Sequence, residues 1–213
     1  MAKKIMFNDK YSLTQAVLDG RKTMTRRIIK CPRTFKGEWV AGFNIHRRHS
    51  DKKIVGWPCM YDADEREFDM GEIFPKYKVG EVVAIAQSYL DLSLAEVSQW
   101  KSNGNKTTIN SLAGWTNKLF TKAELMPHHI RITNIKIERL QDISDKDCLK
   151  EGIYKGQCGS ADTHFMDAYY YKGDIQPYCT PREAFAALID KVSGKGTWES
   201  TPYVFAYEFE LID

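Results

Sequence analysis

The sequence predicts an α+β fold: a small β-barrel with flanking helices, laid out as one domain over 1–213 with two inserted loop or hairpin regions at about 30–78 and 93–124. Three observations lead to it. The run Ile130-Arg131-Ile132-Thr133-Asn134-Ile135-Lys136-Ile137-Glu138 alternates apolar residues, skips a beat at Asn134 and alternates again. Such a phase slip predicts a β-bulge, the device that bends a strand around a small barrel. Tyr203 to Ile212 sets Tyr203, Phe205, Tyr207 and Phe209 on one side against Val204, Ala206, Glu208 and Glu210 on the other, a terminal strand with one buried face. Thr180-Pro181-Arg182-Glu183 joins an N-cap, a first-turn proline and a capping glutamate, the strongest helix start in the chain. Its apolar face is Ala184, Phe185, Leu188, Ile189 and Val192, and Gly194 stops it.

The remaining elements follow in order. Lys4-Ile5-Met6-Phe7 reads as a short strand, and Ser12 with Gln15 forms a capping box that opens a helix over Leu13 to Asp19. Gly20 ends that helix in a left-handed conformation, which predicts an exposed connection from Arg21 to Arg27. Trp39 to Phe43 and Ile54 to Trp57 flank a turn at Ser50 to Lys53 and predict a hairpin projecting from the body. Asp62 to Asp69 reads as an acidic, solvated loop. Val79-Gly80-Glu81 turns into Val82-Val83-Ala84-Ile85-Ala86, a buried strand. Ser93 with Glu96 opens a helix toward Trp100, and Ser102 to Asn110 is loop-like. Ser144-Asp145-Lys146-Asp147 starts a short helix closed by Gly152, which leaves Glu151 at a helix C-terminus where the dipole disfavours a carboxylate and a compensating contact is expected. Tyr169, Tyr170 and Tyr171 read as packing residues more than as base-stacking ones.

Composition excludes several classes. With 43% hydrophobic and 28% charged residues the chain can bury a real core. Its apolar runs are far shorter than a membrane span, and the N-terminus lacks the apolar core of a signal peptide, so a cytoplasmic location without membrane partners is expected. The five cysteines are odd in number and widely spaced, which suits reduced thiols. His46-x-x-His49 beside Cys59 is the one arrangement with a metal-site flavour. It sits among Arg47, Arg48, Lys52 and Lys53, whose charge opposes a cation, so neither metal nor cofactor is expected.

The net charge of +3 conceals a polarised molecule: the segment from Arg21 to Lys53 carries +9 and the rest of the chain −6. Within it, Gly20-Arg21-Lys22-Thr23-Met24-Thr25-Arg26-Arg27 places four cations and two hydroxyls directly after a helix end, a ready site for an anionic or carbonyl-bearing ligand.

That loop, with the order of elements around it, resembles the ASCH domain, a small β-barrel related to the PUA fold of RNA-modifying proteins. The family pattern is Gly-x-Lys-x-x-Glu-x-Arg. Gly20, Lys22 and Arg27 fall on its glycine, lysine and arginine, and Thr25 takes the glutamate position. Val79-Gly80-Glu81-Val82 is similar to the family's turn into a barrel strand, and Ile143 to Glu151 to its short helix ending in an acid. The likeness is closest to phage and bacterial members with a Gly-Arg-Lys-Thr-x-Thr-Arg-Arg loop, and it covers both ends of the chain better than the two inserted blocks.

The resemblance implies two functions. In the first, the barrel binds RNA, a nucleotide or a modified nucleoside, with Arg21, Lys22, Thr23, Arg26 and Arg27 forming the ligand-binding loop. In the second, it is an amidohydrolase that removes an acetyl group from the exocyclic nitrogen of acetylcytidine. The compact hydrolase of this family uses a Lys, a Thr and a Glu, which map onto Lys22, Thr25 and Glu151. A threonine hydroxyl needs a base, and lysine serves only with a pKa well below its usual value, which burial and crowding by Arg21, Arg26 and Arg27 would supply. A third reading is a non-catalytic module that recruits a protein partner through residues 39–57.

Overall fold

The computed structural model describes residues 2–92, 113–160 and 164–212. Their elements run β1 (Lys4–Ile5), α1 (Leu13–Leu18), β2 (Met24–Ile28), β3 (Thr34–Phe35), β4 (Glu38–Trp39), β5 (Gly42–Asn44), β6 (Cys59–Tyr61), β7 (Glu67–Glu72), β8 (Val82–Ile85), β9 (His129–Arg139), α2 (Asp145–Lys150), β10 (Tyr154–Cys158), β11 (Met166–Tyr170), α3 (Pro181–Ser193), α4 (Thr197–Ser200) and β12 (Tyr203–Leu211). The molecule is α+β, mostly sheet with a few short helices. No helix among the described residues is long and apolar enough to cross a membrane.

The central sheet has five strands in the order β1-β8-β9-β12-β2, antiparallel except for the β1–β8 pair. Its edge strands β1 and β2 do not pair with each other, so hydrogen bonds do not close the sheet into the expected barrel. The two edges are bridged by a side chain instead: Arg27 Nη2 in β2 donates to the Met6 carbonyl just after β1, at 2.6 Å. The bulge falls where the alternation slips. Glu208 pairs with Asn134 but Phe209 with Ile132, leaving Thr133 as the extra residue of β9.

β12 corrects one expectation, since it is buried on both faces through Val204, Phe205, Ala206 and Tyr207. It lies inside the sheet between β9 and β2, with cover on either side. Arg26, the cross-strand partner of Ala206, lies against Phe185 of α3, while Phe205 and Tyr207 on the other face meet Trp57 and Tyr77. α3 forms as expected: Thr180 and Glu183 complete the capping box, and Ala184, Phe185, Leu188 and Ile189 are buried.

The N-terminal cap differs. Ser12 closes a one-turn 3₁₀ helix over Asp9–Tyr11 at φ +51, away from the extended geometry an N-cap needs, and its side chain caps nothing. In the first insertion the turn at Ser50–Lys53 is present, with Arg47 bridged to Ile54 and the Arg48 N–H donating to the Lys53 carbonyl. The partners differ from those expected, because β5 pairs with β6 and Trp39 pairs back with Thr34. Trp57 is engaged elsewhere, edge-on to Phe205 at 6.1 Å and to Phe74 at 6.2 Å, and so ties the insertion to the central sheet. The acidic loop shrinks to the turn at Asp62–Arg66, and Glu67 onward is β7. The expected helix from Ser93 toward Trp100 and the stretch Ser102 to Asn110 lie outside the described residues.

Candidate active site

The path of the basic segment is set by two helix ends. Gly20, at φ +70, ends α1 and turns the chain so that the Lys22 N–H reaches the Ala16 carbonyl at 2.8 Å. The Thr23 N–H then reaches the Lys150 carbonyl at the end of α2, at 2.9 Å. These bonds hold Lys22 beside Glu151, the residue that caps α2. From Met24 the chain is β2, paired with β12 from Glu208 back to Val204. The expected exposed connection is therefore mostly buried: Lys22 is 2% exposed, Thr25 5% and Arg26 6%, with only Arg21 and Arg27 on the surface and Thr23 between.

Glu151 is 4% exposed, and the compensating contact anticipated for it is supplied twice. Lys22 Nζ donates to Glu151 Oε2 at 2.5 Å and to the Glu151 carbonyl at 2.8 Å. Arg26 Nη1 donates to Glu151 Oε1 at 3.0 Å. Arg26 also reaches Glu138 at 2.6 Å and Asp147 at 3.4 Å, and Lys136 binds both of those carboxylates, at 3.1 and 3.0 Å. The result is a charge-balanced network of Lys22, Arg26 and Lys136 with Glu138, Asp147 and Glu151. Burial pushes the Lys22 ammonium below the ordinary lysine value of 10.5, against the pull of Glu151, and Arg27 and Arg26 push the same way as burial. Arg21, expected to crowd Lys22, instead pairs on the surface with Asp19 at 2.7 Å.

A cavity of about 580 Å³ opens at the edge of β2, between the segment after β1 and α3. Lys22, Thr25 and Glu151 line it together with Phe7, Phe185 and Leu188. The Phe7 ring carries two cations, Lys22 Nζ and Arg27 Cζ, each 5.9 Å from its centroid. Among the described residues, the Thr25 hydroxyl has no hydrogen-bond partner. The structure thus brings Lys22, Thr25 and Glu151 to one cavity, with Arg26 behind them and Arg27 at the mouth. It leaves Arg21 out and uses Thr23 through its backbone.

No protein-family model, no curated protein and no solved structure matches the chain. The site is therefore read on its geometry.

Several of its members escaped the sequence reading. Phe7 and Phe185 looked like ordinary apolar positions, and Lys136 and Glu138 like solvated alternates of β9. The spacing Lys136-x-Glu138 did place both on one strand face, and Asp147 stood in the first turn of α2, so a paired network was latent in those positions. On the basic hairpin, His46 Nε2 lies 2.8 Å from Glu67, and the Cys59 thiol donates to the carbonyls of Met60 and Phe68. No group of three His, Cys, Asp or Glu side chains fit for a metal ion occurs among the described residues.

Proposed function

We propose that the chain is an amidohydrolase that deacylates an N-acylated nucleoside of the acetylcytidine type, on an opened sheet of the ASCH and PUA-like kind. The observation that carries this reading is the meeting of Lys22, Thr25 and Glu151 on one cavity, with a 2.5 Å buried Lys22–Glu151 contact and a threonine hydroxyl that has no hydrogen-bond partner among the described residues. The rings of Phe7 and Phe185 in the lining suit a flat base, and the pre-placed polar groups beside them suit a reacting amide.

Burial works to free the Lys22 amine of its proton, with Arg27 and Arg26 pushing the same way, against the pull of Glu151 at 2.5 Å. The neutral amine takes the Thr25 proton as Oγ1 bonds to the acyl carbon, and the Lys22 ammonium so formed, held by Glu151, passes that proton to the nitrogen as the C–N bond breaks. The acyl ester left on Thr25 is hydrolysed by water, which frees the acid.

Binding of a nucleotide without turnover is the second reading, favoured by the exposed Arg27 and Lys30 at the cavity mouth. Lys22 and Arg26, engaged by internal carboxylates, do not serve as phosphate contacts in it. Incubation of the protein with acetylcytidine and a panel of acylated nucleosides separates the two. Hydrolysis should be lost by about 10³-fold or more in Thr25→Ala and Lys22→Ala while the circular dichroism stays unchanged. A folded wild type with no turnover on any member would leave binding as the function.

A further inference from the structure

Three cations without a carboxylate partner line one place. Lys22, Arg26, Lys136 and Lys150 are all paired with acids, whereas Arg27, Lys30 and Lys76 have no ion pair among the described residues. These three line a second cavity, of about 360 Å³, whose lining among the described residues holds no Asp or Glu. Arg27 and Lys30 line both cavities and stand between them. Lys4 also borders the second cavity but turns its ammonium onto the carbonyls of Lys118 and Leu119, at 2.9 and 2.8 Å. Its pKa is lowered by burial and then by repulsion from Lys76, as befits a site whose positive charge is not neutralised from within. Beside the cations stands Phe74, 64% exposed, its ring held edge-on by Trp57 at 6.2 Å. An unneutralised cation cluster next to a fixed, exposed ring is the combination that single-stranded nucleic acid recognises, phosphate on the charge and base on the ring.

We propose that this second cavity is a phosphate-and-base subsite that extends the first, so that the ligand is a single-stranded oligonucleotide instead of a free nucleoside. The modified base enters the first cavity, the adjoining phosphate lies on Arg27, Lys30 and Lys76, and the neighbouring base stacks on Phe74. Arg27 keeps free donors for this, since among the described residues its one side-chain hydrogen bond is from Nη2 to the Met6 carbonyl, and its contact with Phe7 is with the ring. The subsite is built by the first insertion, which supplies Phe74 and Lys76. The inference rests on the nucleoside reading of the first cavity, and its test is read by binding so that the two fail separately.

The experiment is calorimetric titration of the full chain with cytidine, cytidine 5′-monophosphate and 5′-phosphorylated tricytidylate, at salt between about 50 and 200 mM. The trinucleotide should bind roughly tenfold or more tighter than the nucleoside at the lower salt, with an affinity that falls with a log–log slope of about −2. Lys76→Gln should reduce that slope by about 0.7, and Phe74→Ala should weaken the trinucleotide several-fold while leaving the monophosphate unchanged. Equal affinity for all three ligands, salt-independent binding, or no binding by any of them overturns the proposal. If Phe74→Ala disturbs the insertion, Lys76→Gln still decides, because its backbone contacts are untouched. Deacylation of free nucleoside with no gain from phosphate removes the subsite and keeps the catalysis. The binding pattern without deacylation does the reverse.

Discussion

Lys22 and Glu151 stand 129 positions apart in sequence and 2.5 Å apart in space, and that separation decides what each substitution does. Glu151→Gln leaves a buried ammonium without its carboxylate. Breaking one side of a buried pair costs about 3–5 kcal/mol, so urea unfolding should show a loss in that range. Lys22→Met is milder, because Glu151 keeps Arg26 at 3.0 Å, and its loss should be clearly smaller. The reverse order would mean that Lys22 and not Glu151 holds the network. The pH profile follows from the same burial. In the proposed mechanism the base is neutral Lys22, whose folded pKa is lowered from 10.5, and the neutral form exists above that pKa. Deacylation should therefore rise with pH and level off at a midpoint below the ordinary lysine value. At this scale Lys22, Thr25 and Glu151 were named together by the resemblance, and the contact that compensates Glu151 was legible from its place at a helix end. Their burial was not, because it depends on β12 pairing with β2 and on a cavity wall from α3, neither of which any local spacing encodes.

Among the elements, helix ends do the positioning, and two glycines separate space from backbone strain. Gly20 and Gly152 both sit at positive φ, +70 and +104. A Cβ at Gly20 meets open space, while one at Gly152 comes 3.3 Å from Leu13 Cδ2 and 3.8 Å from the Lys22 stem. Gly20→Ala should cost about 1 kcal/mol of stability. Gly152→Ala should cost more, because the new Cβ crowds Leu13 in addition to straining the backbone. Equal losses of stability in the two would show that Leu13 gives way without cost. Thr180→Ala, which removes the cap of α3, should cost about 1 kcal/mol, read as a shift in the denaturation midpoint with no change in slope. Elements with several agreeing signals were legible: the Thr180 box with its proline, the bulged β9 and the short α2. Ser12 misled because the same residue types cap helices and close 3₁₀ turns, and the chain just before it had folded into one. The hairpin register in the first insertion failed for another reason, since Trp57 packs on the central sheet and releases its expected partners to β6.

Over the whole molecule, the charge polarity of the sequence is partly resolved by folding. The basic segment sends Lys22 and Arg26 inward to carboxylates of the C-terminal half and leaves Arg27 and Lys30 outward at the cavity mouths. Asp147 joins the inward network through Lys136 and Arg26. Burial works to raise its pKa, but these cations outweigh it and hold the carboxyl below 3.8. A depressed carboxyl stabilises the fold above its unfolded pKa and loses that contribution as pH falls through the folded value. Melting temperature should thus drop below about pH 4, and Asp147→Asn should flatten that drop. A drop of the same depth in the variant would place acid sensitivity elsewhere. The charge split was legible from composition, but which cations fold inward was not, because burial is a property of the assembled sheet. The claim that joins these scales is that Thr25 attacks the acyl carbon. Rapid quenching of the wild type with acetylcytidine, followed by mass analysis of its peptides, should find an acetyl group on the Thr25 peptide that appears before free acetate. Acetate released at full rate by Thr25→Ala, with no acyl group on that peptide in the wild type, would contradict it.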